Sequence, residues 1–249
     1  MAETLPRTRR AARVVLAGVA WLAALAILLS LGTWQMQRLA WKEKLLADIA
    51  ERRTQAPAAL ATIEELARAG GDVDYRPLTV TGTFEHGRER HFLATFNGQS
   101  GYHVYTPLHL DDGRYVFVNR GFVPFDKKEP ATRADGQIAG QHTVIGLARS
   151  KLDGKPSSLI PDNDLSKNVF YWKDLDAMAA SVGIAPAYLV PFFIDADAAP
   201  NPGGLPVGGV TQFDQPNNHL QYALTWYGLA LALLLVSGVY VWRWRREAA

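Results

Sequence analysis

Two long charge-free runs bracket the chain, Val14 to Trp34 and Tyr222 to Trp242. A helix rises about 1.5 Å per residue, so some 20 apolar residues cross a hydrocarbon core about 30 Å thick. Each run is therefore read as a transmembrane helix. Between them the pattern changes. Lys42 to Arg53 keeps helical spacing of Leu45, Leu46 and Ile49 and extends the first helix as an amphipathic one, which Pro57 ends. Thr62-Ile63-Glu64-Glu65 reads as a capping box that opens a short helix over 63–69, with Gly70 as its stop. From Tyr75 the period falls to two, and strands are expected over 78–84, 90–96, 102–110, 114–119 and 143–150. Asn97 to Gly101 and Asp111-Asp112-Gly113 supply turns. These strands are expected to form an antiparallel meander with one apolar face, as a sheet or small barrel. Asp174 to Val182 is a short helix capped by Asp174, and Tyr188 to Ile194 is a further strand. Residues 126–141, 151–168 and 195–218 are rich in turn formers and read as irregular connections.

Charge placement gives the expected orientation. No Lys or Arg lies between Lys173 and Arg243, whereas Arg243, Arg245 and Arg246 follow the second run at once. Positive residues mark the inner side, so both termini are expected to be cytoplasmic. The fold class expected is a membrane protein whose two transmembrane helices flank an extracytoplasmic α+β domain with a mainly antiparallel sheet. Its parts are a cytoplasmic segment 1–13, transmembrane helix 14–34, the outer domain 35–221, transmembrane helix 222–242 and a cytoplasmic tail 243–249. A signal peptide is the competing reading of the first run. Its apolar region would be shorter, and no small-residue cleavage site follows Leu31. The N-terminus is short and contains Glu3, which argues against a transit peptide.

Composition removes several classes of chemistry. The chain of 249 residues holds no cysteine, which excludes disulfides, cysteine-ligated zinc, iron–sulfur clusters and a thiol nucleophile. A net charge of +2 with no basic stripe gives no case for nucleic acid. His86, His91, His103 and His109 lie in or beside strands without zinc spacing or an evident acidic partner. They are read as surface or satisfied core residues. Asp195 and Asp197 lack an EF-hand frame, and Gly203-Gly204 and Gly208-Gly209 lack the setting of a phosphate loop. Nothing supports a hydrolase or a nucleotide-binding enzyme.

The membrane boundary carries more. His219 stands at the mouth of the second run, and Tyr222, Ala223 and Trp226 share its helical face. A haem needs an axial imidazole, flat apolar walls and cations for its propionates. His219 offers the ligand, Tyr222, Trp226 and Trp34 the walls, and Arg38 the propionate partner, while Ala223 leaves room for the ring. The alternative is an interfacial histidine beside an aromatic belt, with Arg38 on a lipid headgroup.

Several segments carry a resemblance. They are Gly32-Thr33-Trp34-Gln35 with Arg38 and Trp41-Lys42, Tyr75-Arg76-Pro77, Tyr102-His103-Val104, Val118 to Pro124, and Asn217-Asn218-His219-Leu220-Gln221-Tyr222-Ala223 with Trp226. In this order they resemble the surfeit-locus family of cytochrome c oxidase assembly factors. That family often has Trp where Phe122 stands. The resemblance implies a non-enzymatic role in building haem-copper oxidases, with haem a bound as cargo and passed to the oxidase's large subunit. It puts the family's candidate haem ligand on His219. The partners implied are the cytochrome c oxidase large subunit and the haem a synthase, with membrane lipid around the helices. Between a bacterial and a mitochondrial inner membrane, the short N-terminus with Glu3 favours the bacterial plasma membrane. A scaffold that stabilises oxidase intermediates without binding haem is the alternative. In Val118 to Pro124, Gly121 is expected to serve a turn or a close backbone approach after a strand.

Overall fold

The computed structural model describes residues 7–213 and 216–247, with backbone alone for residues 7–11. Part of the expected N-terminal segment 1–13 and the end of the tail 243–249 therefore lie outside the described residues. The chain divides into two compact units. One holds residues 7–48 and 216–247, and the other Ile49–Phe213.

The first unit is a pair of long helices. Helix α1 runs Arg7–Arg53 without a break, so the apolar run and the amphipathic stretch after it form one element. It ends four residues before Pro57, which cannot continue a helix. A second long helix spans residues 219–247 at the end of the chain. Both are long and apolar enough to cross a membrane.

The second unit is built on a sheet of seven strands: β1 (Ala58–Ala59), β2 (Pro77–Phe84), β3 (Arg90–Phe96), β4 (Gln99–Leu110), β5 (Tyr115–Pro124), β6 (Gln141–Ser150) and β7 (Leu189–Ala196). Neighbours run β1-β2-β6-β7-β5-β4-β3, and β2 also pairs with β4, which closes β2, β6, β7, β5 and β4 into a barrel. The expectation of a simple antiparallel meander is corrected here. Most pairings are antiparallel, but β7 enters between β6 and β5 and runs parallel to β5. The short β1 is parallel to β2. Closure pairs the end of β2 with the end of β4, leaving the short β1 and β3 as the outer strands.

Leu78 and Val80 of β2, Leu108 of β4, Val116 and Val118 of β5, and Phe192 and Ile194 of β7 fill one core. Helix α2 (Leu60–Arg68) packs Ile63 and Leu66 against it. Its N-cap is Ala59 with no side-chain bond, so the Thr62 capping box is not made. Thr62 falls inside the helix because the chain enters it directly from β1. Glu64, next to the Glu65 of that box, is held by the Arg114 guanidinium. The stop is as expected: Gly70 has φ 73°, and the amides of Gly70 and Gly71 bond to the carbonyls of Ala67 and Leu66.

A second core joins Tyr105, Phe117 and Phe193 to Phe170 and to Leu175, Met178 and Ala179 of helix α3 (Leu175–Ala180). Asp174 caps α3 by accepting from the Ala177 amide at 2.9 Å. The two cores meet β5 from both sides, so its residues Val116 to Val123 are all buried. The expected single apolar face therefore does not hold for β5.

Candidate functional site

The last helix, α4 (His219–Glu247), begins with His219 itself. The Tyr222 amide returns to the Asn218 carbonyl at 3.2 Å and starts the helical ladder. Positions 219, 223, 226, 230, 233 and 237 are the less exposed ones along α4. Their spacing of four and three is that of a stripe facing another helix. Ala223 and Ala230 in this stripe are buried. Small residues there let α1 approach closely.

Three polar contacts tie the helices together. Trp21 Nε1 donates to Ser237 Oγ at 2.7 Å, and the hydroxyls of Thr33 and Tyr227 lie 3.1 Å apart. His219 Nδ1 lies 2.7 Å from Gln35 Oε1. Gly32 makes room for this arrangement, because a Cβ there would lie 2.7 Å from the Tyr227 ring. No hydrogen-bond partner faces His219 Nε2 among the described residues. The imidazole therefore has one nitrogen held and one available to a ligand.

The expected site residues separate into two groups. His219, Ala223 and Trp226 share the stripe, with His219 and Trp226 half-buried. Trp34 and Tyr222 are 54% and 55% exposed, so they are not enclosed beside His219 within the helix pair. Arg38 is exposed, and its guanidinium lies over the Trp41 ring, 4.1 Å from its centre. It stands three residues beyond Gln35, about one helical turn. Gln35 is the residue that sequence reasoning missed. In sequence it shows only as a polar uncharged side chain where the apolar run ends, inside the Gly-Thr-Trp-Gln segment, with nothing to tie it to His219.

The donor set fits a haem to this extent: one imidazole nitrogen is available, small residues lie beside it, and exposed aromatic surface is at hand on both helices. His219 is the only histidine among the described residues of that unit.

The barrel unit holds a different polar cluster, which overturns the expectation that the histidines lack an acidic partner. His86 sits in a single 3-10 turn (His86–Arg88) and not on a strand, so it turns toward Glu89. The buried Glu89 carboxylate takes a two-pronged contact from Arg133, and Arg120 Nη1 lies 3.7 Å away. His86 Nδ1 and His91 Nε2 lie 3.7 and 3.9 Å from it. Asn168 Nδ2 donates to His91 Nδ1 at 3.0 Å, and Arg120 Nη2 donates to the Gly136 carbonyl at 2.6 Å. Burial alone would raise the Glu89 carboxyl. The adjoining His86 and Arg133 outweigh burial and bring it down to about 2. Burial pushes His91 and His103 down to about 4 each, so both rings are neutral. Arg120 is pushed down to about 10, again by burial.

His109 stacks on Tyr115 with ring centres 4.7 Å apart. Between His103 and His109 the pairing of β4 with β5 shifts register, and the extra residue lies on β5. Asp195 is held by Asn119 Nδ2 at 2.9 Å and Thr211 Oγ1 at 3.0 Å. No group of three or more His, Asp or Glu among the described residues is arranged to hold a metal ion. The cluster is organised as a lock between loops and barrel.

Comparison with known proteins follows the same layout. A family model described as the SURF1 family matches residues 22–231, which takes in α1 from Leu22, the whole barrel unit and α4 through Leu231. Surfeit locus protein 1 of Xenopus tropicalis is 39% identical over 224 residues, covering 82% of this chain and 68% of that protein. Surfeit locus protein 1 of Homo sapiens is 38% identical, with coverage of 81% and 70%. A SURF1-like protein of Monosiga brevicollis is 35% identical over 242 residues, with coverage of 91% and 88%.

Proposed function

This chain belongs to the SURF1 family, a family of cytochrome oxidase assembly factors, and we propose that it is a membrane-anchored carrier of haem a. In this reading α1 and α4 cross the bacterial plasma membrane with both termini cytoplasmic. His219 binds the haem iron at the outer boundary. The observation that carries the reading is the state of His219: Nδ1 is held by Gln35 and Nε2 has no hydrogen-bond partner among the described residues. A histidine that is both positioned and open at a membrane boundary is the form a ligand takes.

The other residues divide the remaining work. Ala223 leaves space on the same stripe as His219. Trp34, Tyr222 and Trp226 offer aromatic surface to the macrocycle, and lipid takes the hydrophobic tail. Arg38 lies one turn toward the water side and meets a propionate there, exchanging its contact with Trp41. Haem iron supplies no chemistry in transit; the chain binds, orients and releases it. One imidazole ligand suits release, because a second strong ligand would hold the cargo more firmly. The receiving partner is the oxidase large subunit and the donor is the haem a synthase. No enzymatic step is assigned to the chain.

The test is made in cells whose own copy is replaced by His219→Ala. The expected result is oxidase with at least a several-fold loss of haem a per large subunit, while the variant reaches the membrane at normal level. Normal haem content and oxidase yield would overturn the carrier role and favour a scaffold acting by protein contacts alone.

A further inference from the structure

We infer that Gln35 is a positioning residue for His219, fixing which ring nitrogen carries the proton and therefore which one meets iron. The inference rests on the carrier reading above and names a device within that site. Gln35 Oε1 is 2.7 Å from His219 Nδ1. A carbonyl oxygen only accepts, so in the neutral ring the proton sits on Nδ1 and the lone pair is on Nε2. The opposite tautomer would point a proton at the iron and block the bond. Gln35 is only 9% exposed, and no other hydrogen bond is made by its side chain among the described residues. A buried amide oxygen on an apolar helix is costly without a partner, so His219 is also what satisfies Gln35 Oε1.

The geometry resembles the general plan of metal-bound imidazoles. Their second N–H is donated to a carbonyl or carboxylate, which holds the ring and raises its basicity. The choice of an amide over a carboxylate is itself informative. A carboxylate would place a charge among apolar helices and would draw more imidazolate character onto the iron. A neutral acceptor fixes the ring with a weaker pull, which suits a ligand that must let go. The two residues sit on different helices, so the contact also sets their register: His219 is presented only when α1 and α4 are paired.

The experiment uses the full chain in detergent, titrated with ferric haem a and then reduced. Wild type, Gln35→Leu, Gln35→Glu and His219→Ala are compared for affinity and for the iron–imidazole stretching frequency. Gln35→Leu is expected to weaken binding by about 10–100-fold and to lower the stretching frequency. Ionised, Gln35→Glu only accepts, so above the pH at which it ionises it is expected to keep binding while raising that frequency and lowering the midpoint potential. A folded Gln35→Glu protein that loses haem would show that Gln35 donates to the ring, and would overturn the inference. So would wild-type affinity and frequency in both Gln35 variants, with the signature lost in His219→Ala; the carrier reading would then survive alone. An unchanged iron–imidazole signature in His219→Ala would remove the ligand assignment, and the role of Gln35 with it. If Gln35→Leu does not fold, Gln35→Glu decides between these outcomes.

Discussion

Glu89 carries its negative charge into a space shared with two guanidinium groups, from Arg120 and Arg133, and two imidazoles. Its side chain and that of Arg133 are each 1% exposed, so neither charge is stabilised by water. Removing one member of such a set leaves the others uncompensated, at a cost of about 3–5 kcal/mol. Glu89→Gln is therefore expected to destabilise the barrel unit by about that amount at neutral pH. The same residues set its pH dependence. The unfolded chain takes up protons at His91 below about 6.5, while the folded ring resists until about 4. Glu89 behaves likewise from its ordinary 4.5 down to about 2. In both cases the unfolded state binds more protons, so stability falls as pH falls. Urea midpoints, read by hydrogen exchange in the strands, should drop between pH 7 and pH 4 through His91 and drop further below about pH 4.5 through Glu89, and Glu89→Gln should remove the slope of that lower window only. A midpoint that stays level or rises toward acid would contradict this account. The local part, Glu89 between His86 and His91, stood in the sequence, but its arginine partners did not. Glu89, Arg120 and Arg133 are distant in sequence, and a buried charge looks like a surface one until its partners are known.

At the scale of elements, the long helices and most strands were legible because each announces its own period. The expected strand 90–96 coincides with β3, and Asp174 caps α3 through its own side chain. The expected strand 114–119 stops before Gly121, which by sequence serves a turn or a close backbone approach. The strand instead continues to Pro124, with Gly121 at φ 125° and the Val207 carbonyl where a Cβ would be, 2.0 Å away. Phe122 and Val207 exchange backbone hydrogen bonds at this crossing. The glycine is there for the close approach. Which strands pair was not legible, because alternation fixes a strand's faces and says little about its neighbours. Among the helices, Gly32 has the sharpest steric role. Gly32→Val would drive a branched side chain into Tyr227, at about 1–3 kcal/mol, and pull Gln35 away from His219. The expected result is a lower melting temperature for the helix pair in detergent and faster loss of bound haem on gel filtration. Unchanged values for both would show that the helices do not depend on this contact.

At the scale of the whole chain, two units have separate organising principles. The barrel unit draws its cores from residues between Ala58 and Ala196, and the helix pair is held by small residues and three polar contacts. The outline of two apolar helices around a β-rich middle was legible from hydropathy alone. The position of His219 was legible too, since it stands where an apolar run begins. Its partner was not, because Gln35 is 184 positions away and an isolated amide gives no pattern. The central claim is that His219 holds haem a, and an optical spectrum tests it most directly. Wild type and His219→Ala are purified in detergent from cells that make haem a, and the pigment is extracted and identified. The expected result is a haem a spectrum in the wild type, lost or shifted in His219→Ala. Colourless wild-type protein from such cells, or an identical spectrum in both, would contradict it.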